Sequence, residues 1–323
     1  MRKFHFVYIA LFIGVAAFFA ESLLADYKQA VAFYNQGRYD KAIQELKPDL
    51  DENPDWEFGH RLLGLCYLKL DNNALAVSSL SRAAELKSNA FSTYYGLGQA
   101  YFNMQKYDSS IAALNKAEPL AAQEKQADNA KGRVYKLRGA AHYRMEKYSE
   151  TVDDLTNALR TGQSDWTDYS MLGVSYYRLN RADEAIEALE KALSMKPDQA
   201  ATAEVLGKVY FNKGVDALSA KRFSEAIQQL NKAKELDAQN GYIYYNLAEA
   251  FLFEKKYSEA EKALEQSAEL MPKSPEVYER MGYVYEMQKK WDLALKAYKR
   301  AGEIRPSKSN EEAIKRVENN REL

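Results

Sequence analysis

The chain has 323 residues, 46% hydrophobic and 28% charged, with a formal net charge of −1. That near-neutral balance argues against bulk nucleic-acid binding, which needs a strong positive footprint. Cys66 is the single cysteine, so no internal disulfide can form. Residues 1–25 differ from everything after them. Met1, Arg2 and Lys3 open the chain, Phe4 to Ala20 is apolar apart from His5, and a short mixed stretch leads to Asp26. This is the layout of a secretory signal peptide, with cleavage expected after Ala25. An uncleaved N-terminal anchor is the rival, although the apolar run falls short of the ~20 residues that a span needs. In either case Arg2 and Lys3 stay in the cytoplasm and the remainder is expected outside it. In a bacterium that means a periplasmic or envelope-associated protein.

From Leu23 to Lys308 one 34-residue pattern runs eight times, with frames starting at Leu23, Glu57, Phe91, Gly132, Trp166, Gly207, Gly241 and Pro275. The eighth position is small: Ala30, Gly64, Gly98, Gly139, Gly173, Gly214, Ala248, Gly282. The twentieth is small as well, as at Ala42, Ala76, Ser110 and Thr151. The eleventh is mostly aromatic, as at Phe33, Tyr67, Tyr101 and Tyr176, and the twenty-fourth is Leu in every frame except the last, which has Tyr298. Apolar residues recur at three and four, so each frame predicts two amphipathic helices. Runs such as Gly37–Ile43, Asn180–Ile186 and Lys255–Glu261 mark the turns between them. Gly or Asn there suits a helix end, and Asp or Ser ahead of an Ala-rich run suits a helix start. The small residues are expected to face each other and bring the paired helices close, with the aromatics filling the gaps. Pro54, Pro197, Pro272 and Pro306 close four frames.

The period, the pairs Leu63–Gly64, Leu97–Gly98 and Leu172–Gly173, the aromatic that follows, and the Ala and Pro positions resemble the tetratricopeptide repeat (TPR). The resemblance spans residues 23–308. The first copy departs from it at Gln29–Ala30 and the fourth at Arg138, which takes the place of the Leu. The resemblance implies an all-α, right-handed superhelical solenoid of about eight helix-turn-helix repeats.

Two frame steps, Phe91 to Gly132 and Trp166 to Gly207, are seven residues longer than the others. Seven residues are close to two helical turns and keep the same face inward. Longer first helices are therefore expected in Leu120–Met145 and Gln199–Ala220. Residues 309–323 follow the last frame, with a cap at Ser309 or Asn310 and a narrow apolar stripe of Ala313, Ile314 and Val317. Such a stripe suits a C-terminal capping helix that closes the open end of the array. The expected organisation is thus a signal or anchor over 1–25, an array over 26–308 and a cap over 309–323, with no linker.

The resemblance also places binding residues. In this family they lie on the first helix of each repeat, at its second, fifth, ninth, twelfth and thirteenth positions. The partner-binding candidates are Arg61 and Lys69; then Tyr95, Phe102 and Asn103; Arg133, Lys136, Tyr143 and Arg144; Tyr177 and Arg178; and Lys208 and Phe211. Tyr27, Tyr34 and Phe58 precede them. Tyr242, Tyr245, Glu249 and Phe253, then Glu276, Glu279, Tyr283 and Glu286, follow them, so the C-terminal end is expected to turn acidic. Tyr and Arg are the usual hot-spot residues of interfaces. The resulting expectation is a protein or peptide ligand with acidic and aromatic character. The carboxylate clamp of chaperone-binding members does not transfer, because Leu65 stands where the clamp has Asn. The Asn ladder of glycosyltransferase members is also missing, with only Asn212 and Asn246 in place.

Motifs for chemistry are scarce. No phosphate-binding loop, Gly-x-Ser-x-Gly or His-Glu-x-x-His occurs. His60 and His142 fall in different repeats, which gives no metal spacing. Gly96-Leu97-Gly98 lies inside a helical repeat with no strand before it. No enzymatic activity, cofactor or metal is expected. The expected function is a non-catalytic protein–protein interaction scaffold of the cell envelope. The alternatives are a carrier or regulator of an anionic polysaccharide, and a membrane-anchored assembly subunit in which residues 1–25 are retained.

Overall fold

A computed structural model describes residues 27–162 and 164–322, and the signal or anchor segment lies outside them. The protein is all-α. Its chain divides into two compact units, Met1–Ser164 and Asp165–Leu323. The first unit holds α1, helical over the described residues 27–35. It continues with α2 (Tyr39–Glu52), α3 (Glu57–Lys69), α4 (Asn73–Glu85), α5 (Phe91–Asn103), α6 (Tyr107–Ala121), α7 (Ala127–Arg144) and α8 (Tyr148–Arg160). The second holds α9 (Trp166–Arg178), α10 (Ala182–Met195), α11 (Ala200–Ser219), α12 (Phe223–Leu236), α13 (Gly241–Phe253), α14 (Tyr257–Leu270), α15 (Pro275–Met287), α16 (Trp291–Ile304) and α17 (Lys308–Glu322). Each predicted frame is one helical hairpin, four to a unit, and α17 closes the second.

The hairpin contact is made by a leucine seated on a glycine. Leu46, Leu80, Leu114, Leu155, Leu189, Leu230 and Leu264 are fully buried. A Cβ placed on Gly64 would sit 2.5 Å from Leu80 Cγ, on Gly98 2.7 Å from Leu114 Cγ, and on Gly173 2.5 Å from Leu189 Cγ. Such distances are repulsive, so the eighth position must stay small for the second helix to dock. The sequence expectation paired small residue with small residue. That holds where Ser110 Oγ donates to Gly98 O at 2.8 Å, but the side chain lying over the glycine is the leucine.

The turns inside the hairpins are uniform. The fifteenth residue of every frame is left-handed: Gly37 at φ 74°, then Asp71, Gln105, Glu146, Asn180, Lys221, Lys255 and Lys289 at φ 56–59°. Its N–H donates to the twelfth carbonyl and the next N–H to the eleventh, as in Asn180 N to Tyr177 O and Arg181 N to Tyr176 O. This is the paired closure of a Schellman turn. It corrects the expected helix starts. The second helices begin one residue past that pair, at Tyr39, Ala182 and Tyr257. Asp40, Asp183 and Ser258 therefore sit in the first turn, and the cap positions Arg38, Arg181 and Lys256 make no side-chain cap bond. A first-turn carboxylate still faces the positive end of the helix dipole.

The two insertions resolve differently. First helices elsewhere have 13 residues, as in α3, α5, α9, α13 and α15. Helix α11 has 20 and absorbs its whole insertion, as expected. Helix α7 has 18 and starts at Ala127, not near Leu120. The remainder lengthens α6 past Pro119 to Ala121 and forms the exposed turn 122–126. At the later site Pro197 stops the preceding helix just ahead of α11. Pro119 lies three positions earlier in its frame, within the last turn of α6, where one missing backbone bond does not end the helix.

Helix α17 buries Ala313 and Val317 against Tyr285, Ala294, Ala297 and Tyr298. Its cap is Ser307, whose Oγ accepts from Asn310 N at 3.2 Å, and not Ser309 or Asn310. Asn310 is buried and donates to Tyr298 O at 2.7 Å. Cys66 is fully buried on α3, and burial pushes its thiol up to about 12.

Candidate functional site

In the first unit the predicted positions fall into two groups. Arg61 is partly covered. Its Nε donates to Glu57 Oε1 at 3.1 Å and its guanidinium lies 4.6 Å from the Phe58 ring centre. Tyr95 is only 8% exposed and stacks on Phe91 at 5.2 Å, so it belongs to the core and does not line an open surface. Phe102 and Tyr143 are half-buried, because each turns an edge to an aromatic at the start of its own second helix. The partners are Tyr107 at 5.5 Å and Tyr148 at 6.3 Å, and Tyr34 meets Tyr39 in the same way at 5.5 Å. Asn103 is exposed and donates to Asn73 Oδ1 at 3.0 Å. Lys136 is half-buried, and Lys69, Arg133 and Arg144 are exposed.

Arg133 projects from α7 over the α5 rings, 4.3 Å from the Tyr95 centre and 5.8 Å from Phe91. The fourth repeat's cation is thus brought onto the third repeat's aromatic pair. Its charge also reaches Tyr34 on α1. Burial, then Cys66 and Tyr39, raise the Tyr34 hydroxyl, and Arg133 opposes them.

In the second unit Tyr177 is half-buried and accepts from Asn212 Nδ2 at 3.2 Å. Phe211 is half-buried beside it, and both line a cleft of about 270 Å³ with Asn180, Lys213 and Asp216. Arg178 is exposed, and Lys208 is exposed with its Nζ donating to Glu204 at 2.5 Å. The structure therefore gathers Tyr177 and Phe211 around one opening. Asn212, which donates to Tyr177 and lines the same cleft, was expected only as a ladder position.

Three of the four acids expected at the C-terminal end, all but Glu279, are neutralised from within. Arg280 Nε stands 2.7 Å from Glu249 Oε1, Arg305 holds Glu276 at 2.7 Å, and Arg316 holds Glu286 at 2.8 Å. The Arg280 contact lies off the hydrogen-bond axis, so the buried Glu249 oxygen has a counter-charge and no hydrogen bond. Burial accordingly raises the Glu249 carboxyl, and Arg280 only partly offsets it. Burial also works against charge on Glu286, but bonds from Arg316 and Tyr298 outweigh it and hold that carboxyl below its ordinary range. Sequence reasoning missed these arginines because each lies about 30 residues along the chain from its acid, outside the acid's own helix. This end also exposes aromatic and apolar surface, at Tyr242, Phe253, Tyr283 and Met287. Phe253 stacks on Phe223 at 4.6 Å, and neither Phe223 nor Met287 was among the candidates. The recurrent aromatic at position seventeen (Tyr39, Tyr107, Tyr148, Phe223) was the available signal for the former.

The buried polar cluster of the fourth repeat was likewise not anticipated. Arg138 Nε lies 3.0 Å from both Asp154 oxygens, and its Nη1 donates to Asn115 at 2.7 Å and to Glu118 at 2.6 Å. His142 Nδ1 is 3.0 Å from Asp154 Oδ2. Asp154 is 4% exposed, so this is an interior network joining α6, α7 and α8. A separate opening of about 620 Å³ lies on the opposite face of α15 from Tyr283, between Tyr278, Met281 and Tyr285 and the α16 residues Leu293, Lys296 and Arg300.

Models of the tetratricopeptide repeat match this chain along most of its length. One matches residues 27–91, 137–200 and 170–241, and others match 91–123, 217–279 and 276–307. The chain belongs to the tetratricopeptide repeat family, whose members serve as protein–protein interaction scaffolds. It is 26% identical over 151 residues to DnaJ homolog subfamily C member 3 of Gallus gallus, covering 44% of this chain and 29% of that protein. Among solved structures it is similar to YrrB, described as a TPR protein with an unusual peptide-binding site. There the identity is 19%, the coverage 67% of this chain and 100% of that one, and the TM-score 0.43. It is also similar to MamA of Desulfovibrio magneticus RS-1, at 17% identity, 55% and 97% coverage and a TM-score of 0.37.

Proposed function

We propose that this protein is an exported, non-catalytic scaffold that binds extended protein segments of acidic and aromatic character along the first helices of its repeats. One observation carries the reading. Among the described residues, the cations Arg133, Arg144 and Arg178 on that face have no carboxylate within salt-bridge distance, whereas Glu249, Glu276 and Glu286 each have an arginine. Glu279 has no such partner among the described residues, but the first unit's first helices leave Arg133 and Arg144 over, and surplus cations are complementary to an acidic ligand. Half-buried rings on the first helices, Phe102, Tyr143, Tyr177 and Phe211, offer contact area at low entropy cost. Export and an envelope location rest on the basic, then apolar, start of the sequence. The same face can stack on sugars and neutralise their acids, so an anionic polysaccharide is the second reading.

The test is a pull-down from envelope extract with residues 26–323, alongside the double variant Arg144→Glu/Arg178→Glu. Both side chains are exposed, so helical content should be unchanged. A protein recovered with the native chain and lost from the variant supports the reading. Equal recovery moves the site to another face. A salt-sensitive ligand that survives protease treatment points to the polysaccharide.

A further inference from the structure

The hairpin turns of the last three repeats carry paired cations. Residues 219–224, 253–258 and 287–292 contain Lys221–Arg222, Lys255–Lys256 and Lys289–Lys290 against two acids, Glu254 and Asp292. The same positions of the four repeats in the first unit hold five cations against four acids. All six cations of the three later turns are exposed. These turns abut along one edge of the second unit. Ser224 Oγ donates to Glu254 at 2.6 Å, Phe253 stacks on Phe223 at 4.6 Å, and Gln288 Nε2 donates to Tyr257 O at 3.0 Å. Arg222, Lys256 and Lys290 each have one acid, Glu225, Glu254 and Glu261. Lys221, Lys255 and Lys289 have no carboxylate within 4 Å among the described residues. Each stands at φ 59°, where Gly or Asn is the preferred residue. A cation kept in an unfavourable backbone conformation in three successive turns points to a use for the charge.

Two exposed apolar side chains lie on the same edge. Phe253, 61% exposed, and Met287, 42% exposed, stand two residues before Lys255 and Lys289. Cations beside exposed apolar side chains suit a membrane surface, where Lys and Arg meet acidic headgroups and apolar tips enter the acyl boundary. A soluble polyanion would engage the charges and leave the methionine in water.

We infer that this turn edge docks the second unit on an anionic lipid surface, with Lys221, Lys255 and Lys289 against the headgroups and Phe253 and Met287 at the acyl boundary. The contact needs neither a partner on the first-helix face nor residues 1–25.

Vesicle flotation of residues 26–323 tests this. Phosphatidylcholine vesicles with about one-third phosphatidylglycerol should carry the chain, and phosphatidylcholine alone should not. Binding should fall as salt rises, because exposed charges are screened. Lys221→Gln/Lys255→Gln/Lys289→Gln should weaken it about a hundredfold, since each lysine near an acidic surface is worth roughly fivefold. Gln105 already occupies this turn position at φ 58°, so circular dichroism should be unchanged. The corresponding triple Gly variant relaxes the turns and should lose binding equally while its Tm rises, which separates lost charge from lost folding. No binding to the acidic vesicles, or binding that survives both triple variants, overturns the inference. So does lysine-dependent binding of soluble polygalacturonate as tight as that of the vesicles, which would make the edge a polysaccharide site. The vesicles hold no protein, so the outcome is independent of the ligand proposed for the first-helix face.

Discussion

The fourth and fifth repeats solve one packing problem in opposite ways. In the fifth, the seventh position is Leu172, buried at 4% exposure, and the twenty-third is Ala188. In the fourth, Arg138 and Asp154 take the same two places, with Glu118 and Asn115 of the preceding helix completing the guanidinium's partners. Both hairpins keep the same leucine on the same glycine, Leu155 on Gly139 and Leu189 on Gly173. The repeat therefore tolerates a charged interior at the seventh position because the contact that docks the helices lies elsewhere. What the position demands is a filled and satisfied volume. A buried ion pair contributes little net stability over an apolar one, but leaving one partner alone is costly.

Swapping the two solutions would break this comparison. Leu172→Arg should be the most damaging change, because Ala188 offers no carboxylate; a loss of more than about 3 kcal/mol is expected in urea unfolding. Arg138→Leu restores the family residue yet should cost about 3–5 kcal/mol, since buried Asp154 loses its guanidinium and keeps only His142 Nδ1 at 3.0 Å. Adding Asp154→Ala to Arg138→Leu should recover most of that loss. Hydrogen exchange in α7 and α8 reports both, and a harmless single Arg138→Leu would refute the network. A smaller effect is expected at the cap. The stability that Glu286 gains from Arg316 and Tyr298 is complete above the ordinary carboxylate pKa and is lost as pH falls through its lowered folded value. Exchange in α17 should thus accelerate in acid, beyond the intrinsic rate, and Arg316→Ala should reduce that dependence, leaving the Tyr298 bond. The smallest effect sharpens the turn rule. Lys221→Gly, Lys255→Gly and Lys289→Gly relieve a left-handed lysine and should each stabilise by up to about 1 kcal/mol, read as a rise in Tm.

Much of this was legible from residue order alone. The hairpins, the buried leucines, the close approach at the eighth position and the full helical insertion in α11 all depend on period and residue size. What escaped depends on partners distant in sequence. Arg138 read as an isolated departure because its acids lie 16 and 20 residues away on other helices. The acidic end escaped for the same reason, since Arg280, Arg305 and Arg316 all lie outside the helices of their acids. Tyr95 satisfied the positional rule for a lining residue, but Phe91 beside it drew the ring into the core. Arg133, placed by the same rule, gained its setting from that misplacement: the ring that was to line the groove became the platform for its cation.

Docking of partners on the first-helix face is open to photocrosslinking. A photoreactive benzoylphenylalanine at Phe102 or Phe211, with another at exposed Leu293 beside the opening behind α15, tests this most directly in envelope extract. Adducts to one partner from Phe102 and Phe211, with none from Leu293, are the predicted result. Adducts from Leu293 alone would overturn first-helix docking and transfer the binding function to the opposite face of α15.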